Sequence, residues 1–294
     1  MNLLELKEYM QQQQKLIFFG AHPDDESFGI GGTLAKYAAQ GVNVVYACAT
    51  RGEVGTIDPE YLGRFDTIGD LRWAELAKAA EVLQLADVIH LGYRDSGMPG
   101  QPENHHPQAL TAAPIEEVTA RVVKVIREQR PQVVVTFDPI GGYRHPDHVA
   151  IHNATVAAFQ AAGDPTRYPE MGPAFQPQKL YYSIFPKGLL KLAVKALPLF
   201  GQDPHRFGRN RDIDLTSLVE VEYPVHARIR ISDEAMERKQ RAAAHHQSQL
   251  SSGPPSSGPV GAIYRMISRQ ETFMRAYPPV NGRLRETDLF AGVI

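Results

Sequence analysis

The chain has 294 residues, 43% hydrophobic and 22% charged, with one cysteine and a formal net charge of −2. That length holds one large core or two modest ones. The near-neutral balance, without a sustained basic stripe, argues against a nucleic-acid partner, and the lone Cys48 excludes an intrachain disulfide or a multi-cysteine metal site. The N-terminal MNLLELKEYMQQQQK has no leader pattern, and no apolar run nears the roughly 20 residues of a spanning helix. A cytoplasmic protein with no membrane partner is therefore expected.

From residue 15 the chain alternates apolar runs with helical spacing. KLIFFGAH (15–22) reads as a buried strand and GTLAKYAAQG as a helix closed by Gly41. VNVVYACAT (42–50) is a second strand, DLRWAELAKAAEVLQL (70–85) a helix and DVIHLGY (87–93) a third strand. PIEEVTARVVKVIREQR is helical, PQVVVTFDP (131–139) a fourth strand, DHVAIHNATVAAFQAAG helical and KLYYSIFP (179–186) a fifth strand. Beyond residue 187 the alternation weakens: KGLLKLAVKALPLF reads as helix, VEYPVHARIRIS as strand, DEAMERKQRAAAHHQSQ as helix and LSSGPPSSGPVGA (250–262) as a linker. Continuous apolar strands between amphipathic helices indicate an α/β fold, a Rossmann-like doubly wound, mostly parallel sheet with helices on both faces.

In such sheets ligands gather beyond the carboxyl ends of the strands. The polar loops fall there: AHPDDE after the first strand, TRGEVG after the second, YRDSGM after the third and DPIGGYRHPDH after the fourth. A divalent ion used for hydrolysis commonly takes three protein ligands and keeps one position open, and two histidines with a carboxylate suit zinc. His22 and Asp25, three apart, can be aimed at one ion by a single turn, with His148 supplying the third ligand from the fourth strand's loop. Asp24, beside a ligand but not needed as one, is then free for proton transfer. Each motif alone also has a structural explanation, HPDD as a capping turn and Asp147 as an acid in a first helical turn. Their meeting on one rim favours the ion. Gly29, Gly31 and Gly32 in GIGG lack the full dinucleotide fingerprint, and close helix packing explains them equally well.

AHPDDE (21–26) together with YRHPDH (143–148) resembles the LmbE-like, or PIG-L, family of metal-dependent N-deacetylases, which includes deacetylases of N-acetylglucosamine conjugates. TRGEVG, LRWAEL, LGYRDSGM and RPQVVVTFDPIGGYRHPDH extend the likeness, most closely to the mycothiol-pathway branch, over residues 15–165 and more loosely beyond. The resemblance implies one domain over 1–294, with its core at 15–165 and an α+β extension at 166–294. It implies zinc, or alternatively iron(II) or another divalent ion, on His22, Asp25 and His148, with Asp24 as general base. His145 would stabilise the oxyanion or assist the leaving amine, oriented by Asp147, and Tyr143 would polarise the amide carbonyl. Arg72 and Asp95 would hold sugar hydroxyls, as a guanidinium and a carboxylate together donate to and accept from them. The implied reaction is hydrolysis of the acetamide of a small-molecule N-acetylglucosamine conjugate in low-molecular-weight thiol biosynthesis. An amidase acting on thiol S-conjugates is the alternative, and a homo-oligomer is left open.

Two other classes compete. A non-haem iron oxygenase shares the two-histidine, one-carboxylate triad but does not need Asp24 beside it. A nucleotide-binding module using GIGG leaves HPDH unexplained. His105 and His106 are expected in a solvated loop, and His90 and His226 in structural positions. Glu26, His245 and His246 receive no role.

Overall fold

The apolar runs pair into one sheet. In the computed structural model, residues 14–294 are described apart from 62, 64, 186, 207–213, 220 and 251–268, so most of the expected linker lies outside the described residues. The strands are β1 (Lys15–Gly20), β2 (Asn43–Cys48), β3 (Asp87–His90), β4 (Val133–Phe137), β5 (Lys179–Ile184), β6 (Ala227–Arg230) and β7 (Gln270–Tyr277). Their order is β3-β2-β1-β4-β5-β7-β6. The first five are parallel, while β7 runs antiparallel to both β5 and β6. β1 and β4, buried along nearly their whole length, lie side by side with Ile17 opposite Val134. The chain reverses its winding direction between these two strands, which opens a crevice beyond their carboxyl ends.

The helices are α1 (Asp25–Phe28), α2 (Gly31–Ala39), α3 (Ile68–Leu83), α4 (Ile115–Gln129), α5 (Gly141–Arg144), α6 (Pro146–Ala161), α7 (Lys187–Ala196), α8 (Leu215–Val219) and α9 (Asp233–Ala243). α2, α3 and α9 pack together, as do α4 and α6. α3 begins two residues before its apolar spacing suggests, because Thr67 caps it, its Oγ1 accepting the Asp70 N–H at 3.0 Å. Its buried face carries Leu71, Leu76, Ala79 and Leu83, but also Arg72 and Glu75. Burying charged side chains on a helix face demands partners, and these lie at the carboxyl rim described below.

The expected helix from residue 233 stops at Ala243, and HHQSQ beyond it folds back in turns. β7 is not anticipated by the periodicity. It packs Glu271 against the start of α2, whose Gly32 and Thr33 N–H groups donate to the Glu271 carboxylate at 3.0 and 2.7 Å. The GIGG turn is thus a close-packing site: a Cβ on Gly32 would lie 2.8 Å from Ile231. The anion position at this helix N-terminus is taken by the protein's own carboxylate, which sets aside the nucleotide-cradle reading.

Arg127, on α4, is buried. Its guanidinium donates to six carbonyl oxygens at the end of α6 and in the loop that follows, those of Ala161, Ala162, Asp164, Arg167, Tyr168 and Gly172. These include carbonyls that a helix C-terminus leaves without partners. Arg127→Lys keeps the charge but has only three donors on one atom. It is expected to lower the unfolding free energy by about 3 kcal/mol or more, seen as a reduced urea midpoint at unchanged slope.

Candidate active site

The segment after β1, running into α1, carries His22, Asp24 and Asp25, and the segment after β4, through α5 into α6, carries Tyr143, His145, Asp147 and His148. Because β1 and β4 are adjacent, the two motifs meet over the crevice. The second loop turns through Gly141 and Gly142, both at positive φ, and His145 then caps α6, its Nδ1 accepting the Asp147 N–H at 3.2 Å. HPDH is therefore a helix start as well as a side-chain cluster.

His148 Nε2 lies 3.2 Å from His22 Nδ1 and 3.3 Å from Asp25 Oδ1, and His22 Nδ1 lies 3.9 Å from Asp25 Oδ2. Two imidazole nitrogens face each other at this distance only when a proton or a cation belongs between them. Tetrahedral zinc with nitrogens about 2.0–2.1 Å away would hold them roughly 3.3 Å apart. Each ring's far nitrogen is engaged: His22 Nε2 with Asp147 Oδ2 at 3.1 Å, His148 Nδ1 with the Gly141 carbonyl at 3.2 Å. With those nitrogens donating, the lone pairs of His22 Nδ1 and His148 Nε2 are left for the ion, the outer-shell arrangement typical of metal-ligating histidines. Asp25 is fixed by the Ala21 and His22 N–H groups, which donate to Oδ2 at 2.9 and 2.8 Å. His145 also brings a nitrogen within 4.8 Å of those of His22 and His148. The residues present fit a divalent ion.

The electrostatics point the same way. Burial opposes a charge on His22, yet Asp95 and Asp147 hold its pKa well above the usual range; a bound cation would supply that positive charge instead. Burial, opposed by Arg72 and reinforced by Asp25, pushes the Asp24 carboxyl up to about 6. Burial, with His22 and His148 nearby, pushes His145 well below its usual range.

Three expected residues are engaged differently from the way the resemblance implies. Arg72 is 4% exposed, and its donors go to the Gly52 carbonyl (3.0 Å), the Pro23 carbonyl (2.7 Å) and Asp24 Oδ2 (3.0 Å). The approach to Gly52, at φ 69°, is so close that a Cβ there would sit 2.0 Å from Arg72. Arg72 thus grips Asp24 from a buried position. Asp95 Oδ1 lies 3.5 Å from His22 Nε2 and accepts the Gly97 N–H at 2.8 Å. The Asp147 carboxylate hydrogen-bonds to His22 Nε2 and accepts the Ser96 N–H, whereas His145 receives only the Asp147 main-chain N–H. Tyr143 is half-buried, its ring centre 4.9 Å from that of His148.

Of the residues that sequence reasoning left without a role, Glu26 and His246 are both fully buried and hydrogen-bonded to each other at 2.7 Å. Only the adjacency of Glu26 to the HPDD motif hinted at this. His90 meets Trp73 edge-on, and His226 Nδ1 accepts the Arg275 N–H. A cavity of about 650 Å³, lined by Arg51, Glu53, Tyr61, Phe65 and Arg94 among others, abuts the cluster, with Glu53 Oε2 accepting the Asp95 N–H.

A family model described as GlcNAc-PI de-N-acetylase, PIG-L, matches residues 17–159. The chain is 35% identical to the 1D-myo-inositol 2-acetamido-2-deoxy-alpha-D-glucopyranoside deacetylase of Geodermatophilus obscurus, across 97% of this chain and 99% of that one. It is 37% identical to the protein of the same name from Kineococcus radiotolerans, across 97% and 85% of the two chains. Among solved structures, N,N'-diacetylchitobiose deacetylase from Pyrococcus horikoshii aligns with a TM-score of 0.59 at 18% identity, covering 94% of this chain and 93% of that one, a likeness of fold. No described helix is long and apolar enough to cross a membrane.

Zinc added to chelator-treated protein is expected to stabilise it by about 2.7 kcal/mol at a free concentration a hundredfold above Kd. His148→Ala is expected to abolish that shift in thermal melts.

Proposed function

The chain belongs to the PIG-L family of N-deacetylases, and from that premise we propose that it hydrolyses the acetamide of an N-acetylglucosaminyl-inositol conjugate, a step of low-molecular-weight thiol biosynthesis of the mycothiol type. Family membership sets aside the oxygenase. The observation that carries the chemistry is the convergence of His22, His148 and Asp25, with the carboxylate of Asp24 next to Asp25 in the same motif. The deacetylase activity named for the two relatives supports the choice of conjugate.

His22, Asp25 and His148 would hold the ion, zinc being the one this donor set suits and iron(II) its competitor. When bound, such an ion lowers the pKa of water and polarises a carbonyl oxygen. The rest falls to the chain's own side chains. Arg72 holds Oδ2 of Asp24, leaving the other oxygen to take a proton from the attacking water. His145 accepts the Asp147 N–H on Nδ1, so its own proton sits on Nε2, where it donates to the developing oxyanion. The Tyr143 hydroxyl is the second donor there. Asp24 then carries the proton that the departing glucosamine nitrogen needs. Asp147 orients His22 and, through it, the metal site, which replaces the expected orientation of His145.

Asp24→Asn, with the same shape but no basicity, is expected to retain metal while kcat falls by about 10²–10⁴-fold. Metal analysis, with acetate and free-amine release from a panel of N-acetylglucosamine conjugates, reads both. Turnover within a few-fold of wild type in this variant would remove Asp24 as the base. Release of a larger acyl group without acetate would favour the S-conjugate amidase instead.

A further inference from the structure

The segment that follows α9 reaches the catalytic loop from behind. His246 Nε2 meets Glu26 Oε1 at 2.7 Å, and Glu26 Oε2 accepts the Asp24 N–H at 2.9 Å. Both His246 and Glu26 are 0% exposed, so neither can touch substrate. Two residues on, Ser248 binds Glu75 through its N–H (2.9 Å) and its hydroxyl (2.6 Å). Glu75 sits on α3 one turn from Arg72, which grips the Asp24 carboxylate. One short stretch of chain therefore braces both holds on Asp24, the main-chain hold through Glu26 and the side-chain hold through α3.

Asp24 needs such bracing. Its backbone stands at φ 123° and ψ −26°, a conformation that costs a residue with a Cβ about 1–3 kcal/mol and persists only where surrounding contacts impose it. Glu26 supplies one of those contacts, and it can remain a buried anion only beside a cationic or strongly donating partner. His246 is that partner. Its ring is kept in place edge-on to Phe28, with centroids 5.7 Å apart.

We propose that His246 is a positioning residue for Asp24, acting through Glu26 to hold the loop in the strained conformation that aims the Asp24 carboxylate. The proposal rests on the reading of Asp24 as the general base. A purely structural His246 would stabilise the fold without reference to Asp24, and the two roles separate in a double-mutant cycle.

The measurement is kcat, KM, metal content and melting temperature for His246→Leu, Asp24→Asn and the double variant. In the wild-type background, His246→Leu is expected to lower kcat by roughly 10–100-fold, the usual cost of removing an outer-shell partner. KM should stay within about threefold and metal content should not change. In the Asp24→Asn background the same substitution should leave the residual kcat unchanged. An equal fold-loss in both backgrounds, a kcat within twofold of wild type, or metal lost in step with activity would each overturn the proposal. Should His246→Leu fail to fold, Glu26→Gln takes its place with the same expected pattern. If Asp24→Asn alone keeps full turnover, the base reading has failed first, and the proposal with it.

Discussion

Negative charge brought out of water is the constraint around which this molecule is arranged. Asp24, Asp25, Glu26, Asp95 and Asp147 gather beyond the carboxyl ends of β1 and β4, and all but Asp24 are buried. An unanswered buried carboxylate would take up a proton or unfold its surroundings. Each one here has its answer. Arg72 pairs with Asp24, and His246 pairs with Glu26. His22 faces Asp95 and Asp147, and despite burial it holds Asp95 well below the usual carboxylate range. Asp25 receives two main-chain N–H groups and points at the gap between His22 and His148 where a cation fits. The cations that make these anions tolerable are the groups that hold them still.

The sheet order explains why this gathering happens where it does. Winding outward from β1 to β2 and β3, then from β4 to β5, leaves the loops of the two central strands without a helix crossing between them. Those are the loops that carry HPDD and HPDH. A divalent ion there would be ligated from both halves of the parallel sheet, so binding it would tie β1 to β4 at their ends as well as along their lengths.

Much of this was legible in the sequence. The parallel strands show as apolar runs because both of their faces are covered, and HPDD and HPDH are distinctive enough to be placed on one rim. What remained hidden depends on long-range pairing. β7, QETFMRAY, has no parallel neighbour and follows a Ser/Gly/Pro-rich stretch, so nothing local marks it as part of the sheet. The partners of Arg72 and Asp147 within the protein are likewise a matter of long-range packing. Spacing brings Arg72 to the rim but cannot reveal that its donors turn inward to Asp24 and two carbonyls. The helix expected from residue 233 includes HHQSQ, yet it stops at Ala243, and His246 and Ser248 are buried by turning towards Glu26 and Glu75.

The C-terminal third is thereby tied to the rim of the parallel sheet. The catalytic loop and the helix behind it, residues 22–33, are bracketed by residues more than two hundred positions away: His246 on Glu26 at one end, Glu271 on the α2 N-terminus at the other. Lys239 joins the two, its ammonium donating to the Gly29 carbonyl at 2.8 Å and to Glu271 at 2.7 Å. Without these residues Glu26 would be a buried anion lacking its imidazole, and α2 would begin with unsatisfied buried N–H groups. The family motif accounts for the donors at the rim, but the backbone that aims them is held from the far end of the chain. His246, Lys239 and Glu271 therefore bear on the backbone that carries HPDD as well as on their own local packing.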